Sequence, residues 1–127
     1  MMVAGIGCRR GASAEEIMAV IAEALDRLGL PRASLGALAT LAEKAEEPGL
    51  YEASRRLSLP LVACSREAMR AAADRIVTFS ARAEAATGLP SIAEGAALAA
   101  AGPTAWLLLA RISGSRTTCA IAQGQTP

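Results

Sequence analysis

Histidine is absent from this chain of 127 residues. Its absence excludes Ser-His-Asp and Cys-His catalysis and removes the commonest metal ligand in proteins. The three cysteines, Cys8, Cys64 and Cys119, are odd in number and form no C-x-x-C pair. They argue against a disulfide framework and a zinc site, and they favour a reducing compartment. We therefore predict that the protein holds no metal and no cofactor.

Aromatic residues make up only 2% of the chain, and the formal net charge is +1. A nucleic-acid binder usually has a basic face or aromatic stacking platforms, so this class is set aside. Long apolar runs are also lacking, because the segment 96–110 is too short to span a bilayer and is broken by Gly102 and Pro103. The N-terminus is apolar first and basic afterwards, the reverse of a secretory signal. The sequence thus predicts a soluble, cytoplasmic protein that binds neither nucleic acid nor membrane.

Apolar runs bounded by turn-forming residues predict strands at 2–6, 35–41, 59–64, 105–112 and 116–122. The run 59–64 has the composition of a central parallel strand. Ser113-Gly114-Ser115 joins the last two strands and predicts a C-terminal hairpin.

Helix start and stop signals lie between the predicted strands. Ser13 and Glu16 form a capping box ahead of a helical apolar repeat that Gly29 ends. Ser91 and Glu94 form a second capping box, and capping is the role we predict for both residues. Three further helices begin at Pro48, Ser65 and Ser80.

The alternation of strands and helices predicts the α/β class, as a three-layer α/β/α single domain. Its sheet is expected to be mixed and mainly parallel, with about five strands ending in the C-terminal hairpin. Residues 1–122 are assigned to this domain and residues 123–127 to a flexible tail.

The start of the chain combines a short strand, a glycine-rich turn with two arginines and a capped helix. Gly5, Gly7 and Gly11 let the backbone turn sharply and approach a ligand. Arg9 and Arg10 add two positive charges beside a helix N-terminus. This pattern predicts an anion-binding turn. The alternative is a tight turn whose glycines serve packing and whose arginines are solvated, since the spacing matches neither a dinucleotide fingerprint nor a P-loop.

Several motifs in this sequence resemble the family formed by the cobalamin biosynthesis protein CobE and the C-terminal domain of the cobalt-precorrin hydrolase CbiG. The resemblance is strongest to the stand-alone form of that family, and it covers nearly the whole chain. It rests on the stretches 5–11, 13–17, 39–40, 47–50, 87–94, 97–98 and 118–122, together with Lys44. Where relatives often carry a lysine in the penultimate strand, this chain has Arg111 as the nearby cation.

The resemblance implies a place in the corrin-ring pathway to vitamin B12. Corrin precursors are flat macrocycles edged with acetate and propionate carboxylates. We expect Arg9, Arg10 and Lys44, with the glycine turn that includes Cys8, to bind several of these carboxylates at once, because guanidinium groups bind carboxylates through two parallel hydrogen bonds. A solvated charge cluster is the alternative interpretation of Lys44 and Glu47.

Three functions remain open from the sequence. The favoured one is a carrier or accessory protein that binds an anionic corrin intermediate. The second is an enzyme, resembling the family's lactone hydrolase, for which Cys8 and Glu47 are the catalytic candidates. Cys8 is a candidate because a helix N-terminus and two arginines would lower the pKa of its thiol. The third is a domain that contacts other enzymes of the pathway. The oligomeric state is left open.

Overall fold

A computed structural model of the chain describes residues 1–124, the side chain of Ala86 aside. Its five strands are β1 (Met2–Cys8), β2 (Leu35–Leu41), β3 (Leu61–Cys64), β4 (Trp106–Gly114) and β5 (Thr117–Gln123). Its α-helices are α1 (Ala14–Leu28), α2 (Pro48–Leu57), α3 (Arg66–Ala71), α4 (Ala81–Thr87) and α5 (Ile92–Ala101). Short 3-10 turns occupy Arg32–Ser34, Ala42–Lys44 and Ala73–Arg75.

The strands form one mixed sheet in the order β3-β2-β1-β5-β4. The pairs β1–β2 and β2–β3 are parallel, whereas β1–β5 and β4–β5 are antiparallel. Helices α1 and α2 cover one face of the sheet, and α3 and α5 cover the other. Successive strand residues point to opposite faces, so Ala4 packs towards α1 while Val3 packs towards α5. The predicted three-layer α/β/α domain with a C-terminal hairpin is confirmed.

Local signals set the helix ends. In the capping box of α1, the Ser13 hydroxyl accepts from the Glu16 N–H at 3.0 Å, and the Glu16 carboxylate accepts from the Ser13 N–H at 2.9 Å. Gly29 ends α1 in the left-handed conformation, and Pro48 occupies the first turn of α2. The predicted second strand has the same bounds as β2, so these predictions are confirmed.

The boundaries and positions of other predicted strands are corrected. β3 is an edge strand and half-exposed, because no strand pairs with its outer side within the described residues. The turn of the hairpin lies at Ser115 and Arg116 and begins two residues later than predicted, because Ser113 and Gly114 still pair with β5. β5 continues through Gln123, which pairs with Met2, so the first residue assigned to the flexible tail belongs to the sheet. Residues 125–127 of that predicted tail lie outside the described residues.

The second capping box forms only in part. The Ser91 hydroxyl accepts from the Glu94 N–H at 3.3 Å, as predicted. The Glu94 carboxylate does not return to Ser91. It accepts instead from three backbone N–H groups of other segments, those of Val77, Thr78 and Arg111. The prediction that Glu94 serves as a capping residue is therefore wrong.

Candidate functional site

A cavity of about 510 Å³ lies at the carboxyl ends of β1 and β2, where the crevice of an α/β sheet normally binds its ligand. Helix α4, the N-terminus of α5 and the β4–β5 hairpin form its other walls. The residues that line it are Gly7, Cys8, Arg9, Lys44, Ser80, Arg82, Ala83, Thr87, Ile92, Arg111, Ser113, Gly114, Arg116, Thr117 and Thr118.

The lining of this cavity is cationic. Its charged members are Arg9, Lys44, Arg82, Arg111 and Arg116, and no carboxylate residue is among the lining residues. Arg116 forms an ion pair with Glu16, with 2.6 Å between its guanidinium and Oε1. No ion pair within residues 1–124 neutralises the other four cations. The cavity therefore concentrates positive charge on a chain whose net charge is only +1.

Arg111 reaches the cavity from a β-bulge in β4. Leu109 pairs with Ile121 and Ile112 pairs with Cys119, so two residues of β4 lie opposite one residue of β5. Bulges of this kind redirect a side chain and recur beside functional sites. The Nε of Arg111 is buried without a hydrogen-bond partner, and so is the hydroxyl of Thr117. Unpaired buried polar atoms cost stability, and a ligand can supply the missing partner.

The structure separates the residues of the predicted anion-binding turn. Gly7, Cys8, Arg9 and Lys44 meet in the cavity. Arg10 is exposed and is not among the lining residues.

The glycines of that turn have different roles. Gly5 and Gly7 lie within β1 and do not turn the chain. A Cβ at Gly5 would collide with the backbone of α5, at the carbonyl oxygen of Ala93. Only Gly11 is left-handed, with φ of 81°. Packing therefore explains Gly5, and backbone conformation explains Gly11.

The backbone N–H groups of the turn are largely used within the chain. The Arg9 N–H donates to the carbonyl of Arg116 at 3.0 Å, and the Ala12 N–H donates to the carbonyl of Arg9 at 3.1 Å. The Gly11 N–H donates to the Glu47 carboxylate at 3.0 Å. The prediction that these amides bind a ligand is therefore not supported, because each already donates to an acceptor within the chain. The side chains of the cavity are the better anion site.

Cys8 is half-buried at the end of β1, beside Lys44 in the cavity lining. Burial raises the pKa of its thiol, and the negative charge of Glu47 raises it further, while Lys44 only partly opposes them. The expectation of a lowered pKa is therefore wrong, because Cys8 sits in a strand and not at the helix N-terminus. Cys64 and Cys119 are buried core residues, as predicted, and burial raises the pKa of Cys119 to about 12.

Two cations of the site, Arg82 and Arg116, are not among the residues predicted from the sequence. Arg82 follows the helix-capping Ser80, and Arg116 lies in the hairpin turn. Neither position has a local pattern that separates it from an ordinary solvated arginine. Arg111 has a weak signal, because an arginine seldom follows a run of apolar residues inside a strand without a reason.

Two further properties concern the whole described chain. None of the helices formed by residues 1–124 has both the length and the hydropathy required to cross a bilayer. Within the same residues, the cysteine and acidic side chains form no group of three or more that could hold a metal ion.

Known proteins resemble this chain over almost its full length. Residues 2–122 match the protein family described as cobalamin synthesis G C-terminus. A protein CobE from Sinorhizobium is 35% identical over 121 residues, which make up 95% of this chain and 79% of the relative.

Solved structures agree with the sequence matches. The crystal structure of CobE, a protein from the cobalamin biosynthetic pathway, has a TM-score of 0.92 and 37% identity, covering 100% of this chain and 92% of that one. The cobalamin biosynthesis protein chiG from Agrobacterium tumefaciens has a TM-score of 0.79 and 40% identity, covering 99% of this chain and 100% of that one.

Proposed function

The chain belongs to the cobalamin synthesis G C-terminus family, and is thus a cobalamin biosynthesis protein, and we propose that it binds an anionic corrin-ring intermediate in the cationic cavity. The role we propose is that of a carrier or accessory protein in the cytoplasm, which holds an intermediate or passes it to other enzymes of the pathway. One observation carries this proposal. Five cations from four separate parts of the chain face a single cavity whose lining contains no carboxylate.

Charge and geometry both support a ligand with several carboxylates. A corrin precursor carries acetate and propionate groups around the edge of a flat ring, so one edge presents several negative charges together. Guanidinium groups bind such carboxylates through two parallel hydrogen bonds, and each charge-assisted bond contributes about 1.5–3 kcal/mol. A cavity of about 510 Å³ falls within the usual range for small-molecule sites. It suits the carboxylate-bearing edge of the ring better than a compact anion.

The arrangement offers little support for hydrolysis. A lactone hydrolase needs a nucleophile or a base beside its substrate. The thiol of Cys8 has a raised pKa, which reduces its thiolate at neutral pH. Glu47 uses its carboxylate to bind the Gly11 N–H and is not among the lining residues of the cavity. The carrier role is therefore the function that the site favours.

Titration of the purified chain with cobyrinic acid, followed by absorbance, tests the proposal. Cobyrinic acid is a corrin with free acetate and propionate groups, and its methyl ester is the uncharged control. We expect the acid to bind and the ester to bind much more weakly. Arg82→Ala should weaken binding of the acid, whereas Arg32→Ala, on the exposed 3-10 turn before β2, should not. Equal binding of acid and ester, or no binding of either, would contradict the proposal.

A further inference from the structure

Glu94 is completely buried in the first turn of α5, yet its carboxylate faces three backbone donors from outside its own helix. One oxygen, Oε1, accepts from the N–H groups of Val77 and Thr78 at 2.9 Å each. The other, Oε2, accepts from the N–H of Arg111 at 2.8 Å. A buried carboxylate is costly unless its oxygens are hydrogen-bonded, and here both are. Helix capping would need none of these contacts.

The contact with Arg111 acts on the bulge of β4. The bulge removes the Arg111 N–H from regular pairing with β5, and this N–H donates to the Glu94 carboxylate instead. A buried donor without an acceptor would favour a different backbone path. Glu94 thus holds the backbone conformation from which the Arg111 side chain enters the cavity.

The contacts with Val77 and Thr78 act on a second wall of the cavity, which α4 forms. These residues lead into α4, whose Ser80 and Arg82 line the cavity. The segment is not held by burial of its own large side chains, because Val77 is 63% exposed and Phe79 is 72% exposed. Two backbone hydrogen bonds to Glu94 therefore anchor the segment between the buried Ile76 and Ser80, whose N–H donates to the carbonyl of Pro90 at 2.9 Å.

We infer that Glu94 is a positioning residue of the cavity, whose single carboxylate holds the β4 bulge and the segment before α4 together. Through these contacts it positions Arg111 and Arg82, from two different walls of the cavity, to bind one polycarboxylate ligand. Glu94 itself does not touch the ligand, since it is not among the lining residues of the cavity. The inference rests on the proposed function, because the ligand is what the two arginines share.

A double-mutant cycle separates positioning from simple support of the fold. Glu94→Gln keeps the size of the side chain but replaces one acceptor oxygen by an NH₂ donor. It therefore cannot accept hydrogen bonds from the N–H groups of Val77 and Thr78 and from that of Arg111 at once. We expect this variant to bind cobyrinic acid about tenfold more weakly than the parent chain. Arg111→Ala should weaken binding similarly. Glu94→Gln should then have a clearly smaller effect in the Arg111→Ala background than in the parent chain, because only the placement of Arg82 remains to be lost.

Ser91→Ala is the matched control, because it removes the N-cap hydroxyl of the same helix and leaves both carboxylate oxygens of Glu94 in place as acceptors. It should lower the midpoint of urea unfolding and leave the affinity for cobyrinic acid within about twofold. Equal loss of affinity in Ser91→Ala and Glu94→Gln would overturn the inference, since stability alone would then explain both. An equal effect of Glu94→Gln in the presence and absence of Arg111 would overturn it as well.

Amide hydrogen exchange distinguishes failure of this inference from failure of the proposed function. If the parent chain does not bind cobyrinic acid, the proposed function fails with this ligand. The positioning role is then supported if Glu94→Gln accelerates exchange at Val77, Thr78 and Arg111 while Cys119 and Ile121 stay protected. It is overturned if these three amides exchange as in the parent chain, or if the whole hairpin loses protection.

Discussion

Glu47 and Gly11 are joined by a hydrogen bond from the Gly11 N–H to Oε1 of Glu47, at 3.0 Å, across 36 positions of the chain. The sequence singles out both residues, Gly11 as part of an anion-binding turn and Glu47 as a candidate base. In the structure the carboxylate of Glu47 occupies the place that an external anion would take at the Gly11 amide. The two residues therefore hold the turn together, and neither lines the cavity.

Substitution of Glu47 tests this structural role. We expect Glu47→Ala to lower the free energy of unfolding by about 0.5–1.5 kcal/mol, because the turn loses one hydrogen bond. Glu47→Gln keeps an acceptor oxygen and should cost less. Urea unfolding followed by circular dichroism measures both variants. An unchanged stability in Glu47→Ala would show that the contact contributes nothing to the fold.

The neighbours Arg9 and Arg10 should differ in their effect on ligand binding. Both side chains are exposed, but Arg9 lines the cavity, whereas Arg10 is not among the lining residues. We expect Arg9→Ala to weaken binding of cobyrinic acid by about 1–3 kcal/mol and Arg10→Ala to leave it almost unchanged. Raising the salt concentration should weaken binding to the parent chain, because it screens the charges of the cavity. It should weaken binding less in Arg9→Ala. Equal effects of the two substitutions would place the ligand at the surface of the turn.

Gly5→Ala should destabilise the fold strongly. The added Cβ would meet the backbone of α5 at Ala93 and Ala97, and backbone atoms cannot move aside as a side chain can. The expected loss is about 1–3 kcal/mol or more in the free energy of unfolding. Gly36→Ala, in β2, is the control, because its Cβ would mainly meet the flexible side chain of Met1. The urea midpoints of the two variants give the comparison, and equal midpoints would contradict the packing role of Gly5.

Cys8 should react slowly with alkylating reagents near neutral pH. Burial raises the pKa of its thiol, so less of the reactive thiolate is present than in an ordinary exposed cysteine. We expect iodoacetamide to modify Cys8 more slowly in the folded chain than in urea, as measured by mass spectrometry. We expect neither the parent chain nor Cys8→Ser to turn over a lactone-bearing precorrin. Turnover that disappears in Cys8→Ser would establish the hydrolase alternative.

Glu16 should titrate far below an ordinary glutamate. Hydrogen bonds from Arg116, from the Ser13 N–H and from the Ser115 hydroxyl lower the pKa of Glu16 from 4.5 to about 2. A group whose pKa is lower in the folded state stabilises the fold above its ordinary pKa, and this contribution is lost as the pH falls towards about 2. Arg116→Gln should raise the pKa of Glu16 towards 4.5 in an NMR titration, and Arg32→Gln should leave it unchanged. An unaltered pKa in Arg116→Gln would exclude the ion pair as its main cause.

Much of the secondary structure follows from residues that are neighbours in the chain. The capping box of Ser13 and Glu16, the left-handed Gly29 and the proline that begins α2 act over a single turn of helix. The same signals therefore appear in the sequence and in the structure. The motifs shared with the family also lie in continuous stretches, so the sequence alone identified the pathway.

The order of the strands, the role of Glu94 and the make-up of the cavity were decided only by the tertiary structure. The capping pattern at Ser91 predicts a local partner for the Glu94 carboxylate. The fold instead brings it the N–H groups of Val77 and Arg111, each 17 positions away in the chain. The cavity likewise combines Arg9 with Arg111, because β1 pairs with β5 of the hairpin in the sheet. The residues that flank Arg9 and Arg111 in the sequence do not predict this pairing. Short-range interactions depend on the residues that flank a position, whereas burial, charge clustering and the direction of a pKa shift depend on whatever the folded chain packs against it.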